Sequence, residues 1–212
     1  MNSDLNKYNT FVFDFDGVIL DSNKVKEAAF QELFLSYGSK VVDNIGKFHR
    51  QNLGVHRHKK IAYFFERFCK ISVSDELIRE YSERFSHLTL SLLSDSKYLI
   101  HDSIGFIRKM KLLRERRLYV ASAASEEDVL ALCRIHNLHD FFDGIFGGPE
   151  SKTQLICKII QHSENGRCVM IGDSINDYNA AIKAGVDFYG YNNTELRGLG
   201  SGYVQKFSEL SL

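Results

Sequence analysis

Asp14 and Asp16 stand two residues apart directly after the apolar run Phe11-Val12-Phe13, and Gly17 follows them. Alternate side chains of an extended chain point the same way, so both carboxylates face one side where such a strand ends. Two carboxylates so placed repel unless a cation neutralises them. A third acid, Asp173, follows the apolar run Cys168-Val169-Met170-Ile171, with Asp177 four residues further on. Ser122 follows Leu118-Tyr119-Val120-Ala121, and Lys152 comes after Gly144-Ile145-Phe146 and a Gly-Gly-Pro turn. Carboxylate oxygens with water and a phosphate oxygen suit Mg²⁺, which takes one or two protein carboxylates. Such an ion cancels the repulsion between an anionic nucleophile and an anionic phosphoryl group. Lys152 would add a fixed positive charge on the phosphoryl oxygens. The Ser122 hydroxyl and neighbouring backbone N–H groups, that of Ala123 first, would add donors. Gly17 lets the backbone turn sharply beside a substrate.

The elements that must hold these groups alternate in type. Residues 11–13, 118–121, 144–146, 168–171 and 187–191 read as short buried strands. Helical spacing runs over 104–115, 125–135, 155–161 and 178–184, with Gly185 ending the last. Strands alternating with helices imply a doubly wound, parallel α/β sheet of Rossmann-like form, which binds ligands at the carboxyl ends of its strands. The rhythm breaks after the first strand. Residues 25–37, 58–68 and 74–93 are helical in period, the last with Ser74 as N-cap and a stripe of Leu77, Tyr81, Phe85, Leu88 and Leu92. The chain therefore reads as a core of residues 1–20 and 95–212 with an all-helical cap of residues 21–94 inserted. Each polar residue also has a plain structural reading: Asp177 as a cap of the helix from Tyr178, Ser122 as a turn former, Lys152 as a solvated helix-start lysine.

The 27 basic and 27 acidic residues in 212 balance to zero, which argues against bulk nucleic-acid binding. An apolar content of 44% provides for a core, and no apolar stretch approaches the ~18 residues of a membrane span. Residues 1–10 are polar and lack a signal-peptide core. Cys69, Cys133, Cys157 and Cys168 are scattered, as in a reducing compartment. A soluble, cytoplasmic protein acting on a small molecule is expected, with neither nucleic acid nor membrane as partner.

The segments FDFDGV, ASAAS, GGPESK and GDSINDYNAAIKAG, in this order, resemble the four motifs of the haloacid dehalogenase superfamily, and the cap position resembles that of phosphoglycolate phosphatases and β-phosphoglucomutases. The resemblance implies that Asp14 attacks phosphorus to form an aspartyl-phosphate. It implies that Asp16 protonates the leaving oxygen, then activates water, and offers its backbone carbonyl to the metal. Asp14, Asp16 and Asp173 would hold Mg²⁺, Ser122, Ala123 and Lys152 the phosphoryl group, and Asp177 and Gly17 would support the site. The family's true dehalogenases lack an acid two residues after the nucleophile, so Asp16 favours phosphoryl transfer. A small phosphomonoester of the sugar-phosphate or phosphoglycolate class is the implied substrate. A mutase and a silent binding protein of the same fold are the rivals.

The cap carries a basic stretch from His49 to Lys60. It reads either as a solvated loop or as a loop that contacts substrate. Gly54-Val55-His56-Arg57 resembles the cap loop of β-phosphoglucomutases, whose arginine grips the phosphate that is not transferred. Arg57 is therefore the first candidate, with Asn52 and Lys60 behind it. The mutases carry threonine and histidine where this chain has Ser22 and Lys26. Lys26 reads equally as a surface lysine or as one facing the cleft.

Overall fold

The computed structural model of the chain describes residues 5–162 and 166–210; the start of the polar N-terminal stretch, residues 1–4, lies outside the described residues. A parallel sheet of β1 (Thr10–Phe13), β2 (Arg117–Ser125), β3 (Gly144–Gly148), β4 (Cys168–Gly172), β5 (Asp187–Tyr191) and β6 (Gly202–Val204) runs in the order β3-β2-β1-β4-β5-β6. The short β6, outside the alternation legible in the sequence, pairs with β5 and closes that edge.

Alternation along the strands supplies both faces with apolar groups. Phe11, Phe13, Val169 and Ile171 pack on one side with Phe106 and Met110 of α5 (His101–Leu112) and Val129 and Leu132 of α6 (Glu126–Ile135). Val12 and Met170 face the other side, against Leu155, Ile156 and Ile159 of α7 (Lys152–His162) and Ala180 and Ala181 of α8 (Ile175–Ala184). The central strands are thus buried on both faces, which is why they read as unbroken apolar runs.

Between β1 and α5 the chain is helical: α1 (Asn23–Leu33), α2 (Ser39–Gln51), α3 (Arg57–Tyr63) running into a π-helical turn, and α4 (Asp75–Leu93). These helices share an apolar cluster of Phe30, Phe34, Ile45, Ile61, Phe64 and Phe85, with Phe30 and Phe85 stacked at 4.1 Å. Ser74 Oγ accepts from Leu77 N–H at 3.3 Å, the N-cap expected of it. Two expectations change here. Leu92 is 49% exposed whereas Leu93 is fully buried, so the inward stripe passes through Thr89 and Leu93 at its end. The basic stretch 49–60 is not one loop: its first residues finish α2, its last begin α3, and 52–56 alone connect them. The four cysteines are free thiols. No helix among the described residues is long and apolar enough to cross a membrane.

Candidate active site

Strand order decides the site's position. β1 and β4 are neighbours, with Phe13 opposite Ile171, and the Asp14 N–H donates to Ile171 O at 2.9 Å. The chain leaves β1 toward β2 and β3 and returns to β4 on the other side. The crevice where order reverses therefore lies between the carboxyl ends of β1 and β4. Asp14 and Asp173 occupy those ends.

One lysine ties the cluster together. Lys152, the first residue of α7, places Nζ 2.8 Å from Asp14 Oδ1 and donates also to Asp177 Oδ1. All three side chains are nearly or wholly out of solvent. Asp14 Oδ1 also accepts from the Phe15 N–H at 2.7 Å, so both contacts fall on the same oxygen. Asp177 uses both of its oxygens. Oδ1 takes Lys152, while Oδ2 accepts from the Ser174 N–H at 3.0 Å and the Ser174 hydroxyl at 2.7 Å in a capping box at the start of α8. The helix starts at Ile175 rather than Tyr178, so Ser174 is its N-cap and Asp177, the third residue of the helix, completes the capping box, while its other oxygen meets Lys152.

Ligand atoms of Asp14, Asp173 and Asp177 lie within 4.8 Å of one another. One ammonium against three carboxylates leaves net negative charge in a buried place. Burial, then the charge of Asp177, pushes Asp173 up to about 7, although Lys152 and the Asn23 amide pull it down. Burial and the same neighbouring acids hold Asp14 well above the usual carboxylate range against the pull of Lys152. A hard divalent cation relieves that repulsion, and the all-oxygen donor set fits Mg²⁺. Because Asp177's oxygens are engaged, Asp14 and Asp173 are the side chains suited to the ion. Their surroundings are held by backbone contacts: Asn192 Nδ2 donates to Gly17 O at 3.0 Å, and Asn193 Nδ2 to Asp173 O at 2.9 Å. Gly17 has φ +78°, and a Cβ there would sit 1.9 Å from Asp173 Oδ2. No other residue fits.

Asp16 stands apart from this cluster. Its Oδ1 accepts from Ser22 Oγ and from Lys26 Nζ, each at 2.5 Å. Burial alone would raise its pKa, but the Lys26 charge and the two hydrogen bonds outweigh it and hold the carboxyl below its usual value. The arrangement favours the proton-accepting form. Asp16 thus faces α1, and this helix reaches the acids directly: Asn23 Nδ2 donates to Asp173 Oδ2 at 3.1 Å.

Ser122 lies inside β2 rather than beyond it, because the strand extends to Ser125. Pairing with β3 breaks register between Ala121 and Ser125, which releases residues 122–124 from the ladder at the site's edge. Ser122 is fully buried, and its Oγ accepts from the Ala124 N–H at 3.0 Å, leaving its own proton to donate. Ala123, Asp16, Arg57 and Lys60 line one cavity. Arg57 is committed elsewhere: its guanidinium meets Asp128 Oδ2 of α6 at 2.5 Å and Ser86 Oγ of α4 at 2.7 Å, joining the helices after β1 to those after β2. Asn52 turns back on α2, donating to Phe48 O at 2.8 Å. Ser22, Asn23, Asn192 and Asn193 were not singled out as site members in the sequence. Ser22 and Lys26 carried a signal, as departures from the mutase pattern; the two asparagines after β5 carried one in their strand-end position.

The sequence profile of haloacid dehalogenase-like hydrolases matches residues 8–185. A phosphorylated carbohydrates phosphatase of Thermotoga maritima is 23% identical over 185 residues, 83% of this chain and 81% of that protein. CbbY of Rhodobacter sphaeroides, solved with xylulose-(1,5)bisphosphate, superposes with a TM-score of 0.77 at 20% identity, covering 96% of each chain. β-Phosphoglucomutase of Clostridium difficile does so at 0.74 and 19% identity, covering 97% of this chain and 94% of that one. Profile, fold and the arrangement at the strand ends agree, and the chain belongs to the haloacid dehalogenase-like hydrolases.

Proposed function

We propose that the chain is a Mg²⁺-dependent phosphatase that hydrolyses a small phosphomonoester of the sugar-phosphate or phosphoglycolate class through an aspartyl-phosphate on Asp14. The observation that carries this reading is the buried Lys152 bridging Asp14 and Asp177 beside Asp173. A purely structural cluster would not leave one lysine among three acids, since unpaired buried charge is costly. The Thermotoga phosphatase and the bisphosphate held by CbbY support the substrate class.

Asp14 Oδ1 is fixed by Lys152 and the Phe15 N–H, so Oδ2 is the oxygen that attacks phosphorus. Lys152, Ser122 and the Ala123 N–H hold the phosphoryl oxygens and stabilise the charge that spreads over them in the transition state. Asp16 gives a proton to the departing oxygen and then takes one from the water that attacks the phosphoaspartate. Lys26 holds Asp16 anionic, so before that step Asp16 must take a proton from solvent as the Lys26 contact opens. Asp14, Asp173 and the Asp16 carbonyl would hold Mg²⁺, which neutralises charge between nucleophile and phosphoryl group. Residues 21–94 act as a cap over the core of residues 1–20 and 95–212, excluding bulk water from the phosphoenzyme.

Phosphate release from sugar phosphates, phosphoglycolate and nucleoside monophosphates in Mg²⁺ tests the reading. Sugar phosphates or phosphoglycolate are expected to lead, with activity lost on chelation and reduced at least about 10³-fold in Asp14→Asn. A nucleotide preference rejects the substrate class, and undiminished Asp14→Asn activity rejects the mechanism. Isomerisation of a hexose 1-phosphate without inorganic phosphate, read by phosphorus NMR, assigns the chain to the mutases.

A further inference from the structure

Asn23, the first residue of α1, reaches an acid 150 positions away: its Nδ2 donates to Asp173 Oδ2 at 3.1 Å. The same oxygen is the one pressed against the loop after β1. A Cβ at Gly17 would meet Asp173 Oδ2 at 1.9 Å and the carboxyl carbon at 2.5 Å, with Asn23 Nδ2 next at 3.1 Å. Oδ2 therefore lies in a slot between the Gly17 backbone and the Asn23 amide. Oδ1 lies farther from Gly17 and accepts no hydrogen bond among the described residues. Behind the side chain, the Asp173 carbonyl accepts from Asn193 Nδ2 at 2.9 Å. Main chain and one carboxylate oxygen are both tied, in a residue only 7% exposed.

The start of α1 makes this contact at the expense of its own cap. Serine and asparagine at a helix start ordinarily accept from the first free backbone N–H groups. Ser22, the N-cap, makes no such bond. Its hydroxyl donates to Asp16 Oδ1 at 2.5 Å while the Asn23 amide donates to Asp173, so both side chains answer acids at the strand ends instead. How many oxygens Asp173 can offer bears on which ion the site takes. Mg²⁺ demands near-ideal octahedral geometry with ligands at about 2.0–2.1 Å, which a carboxylate meets with one oxygen. Ca²⁺ takes about six to eight oxygens at about 2.3–2.6 Å and accepts a carboxylate through both. A carboxylate with one oxygen kept in a slot offers only the other.

We propose that Asn23 is a positioning residue that holds Asp173 as a one-oxygen ligand and so makes the site select Mg²⁺ against Ca²⁺. This rests on the phosphatase reading for the identity of the ion, but the selection is measurable without turnover. Asn23 touches no reacting atom and acts through Asp173. Without its amide the carboxylate turns out of the slot and presents both oxygens, an arrangement that suits the larger ion.

The test titrates Mg²⁺ and, separately, Ca²⁺ calorimetrically onto the full chain. Asn23→Leu deletes the donor while keeping the side chain's size and favouring the helix. It is expected to shift the ratio of the two Kd values about ten-fold toward Ca²⁺, the scale on which loss of an outer partner alters a metal site. Asn23→Gln, which retains an amide donor, should recover part of the shift, and Asn23→Ser repeats the deletion should the leucine variant not fold. Inhibition of phosphate release by Ca²⁺ in the presence of Mg²⁺ should strengthen in parallel. An unchanged ratio in the deletion variants, or Mg²⁺ bound more tightly by them than by the wild type, overturns the proposal, as does a wild type that binds Ca²⁺ as well as Mg²⁺. A shifted ratio in a chain that releases phosphate from no ester upholds the role of Asn23 and rejects the phosphatase reading instead.

Discussion

Two buried charge clusters sit on either side of Asp16, and they are built on opposite terms. At the strand ends, acids outnumber bases: Asp14, Asp173 and Asp177 surround one lysine, and Asp14 and Asp173 are pushed toward the protonated form. At the cavity beside Asp16, bases outnumber acids: Lys26, Arg57 and Lys60 line it with Asp16 and Asp128, and Lys60 and His49 are pushed toward the neutral form. On the phosphatase reading proposed above, Mg²⁺ would answer the excess of acid in the first cluster. The groups of the first cluster are fixed by a rigid sheet and by helix starts packed on it. Those of the second sit on α1, α2 and α3, the helices that follow β1.

The contrast can be broken first at Lys152. Lys152→Met leaves Asp14 and Asp177 buried without their counter-charge. It should lower kcat on the order of 10²- to 10³-fold, and without Mg²⁺ it should cost about 3–5 kcal/mol of stability by denaturant unfolding. A variant as stable as the wild type would show that the core acids do not depend on this lysine. Gly17→Ala comes next. Its methyl group would collide with Asp173 and force a left-handed residue to carry a side chain. A displacement of about 1 Å at that carboxylate should cost about 100-fold in kcat/KM, with a weaker apparent affinity for Mg²⁺ and retained fold. Unchanged Mg²⁺ dependence would separate Asp173 from the ion.

The smallest effect has the opposite sign. Lys60 has its pKa lowered from 10.5 to about 7 in the folded chain. Between those values the unfolded chain binds more protons, so this group makes stability rise with pH from about 7 upward and withholds it below. Lys60→Met should therefore stabilise the ligand-free protein at pH 7 by about 2 kcal/mol, roughly 5 °C in Tm, with the gap closing toward pH 10. Calorimetric scans at the two pH values check this. A destabilised Lys60→Met would mean that the lysine is satisfied within the cap, and the two clusters would lose their symmetry.

Local pattern carried much of this molecule. The run Phe11-Val12-Phe13 before Asp14, the run before Asp173 and the Gly-Gly-Pro before Lys152 each place a polar group at a strand end or helix start, and such positions depend on neighbours in the chain. The parallel α/β alternation and the helical insertion were legible for the same reason. The short β6 was not, since three residues carry too little periodicity, whereas α2, with Val41, Ile45 and Phe48 at helical spacing, was within reach of pattern although it lies outside the helical stretches read above.

Which charge answers which was beyond reach of pattern. Arg57, foremost among the cap candidates, is spent on Asp128, 71 positions away, and Lys26 closes on Asp16 because α1 packs over β1's end. Lys60 and His49 meet only because α3 and α2 lie together over Phe30. The sequence by itself determined the acids, the lysine and the sheet that gathers them, because hydrophobic period and turn chemistry act over a few residues. Only the tertiary structure decided the ion pairs, because a long side chain takes its partner from whatever surface the packed helices bring within about 4 Å, and burial then makes that choice costly to undo.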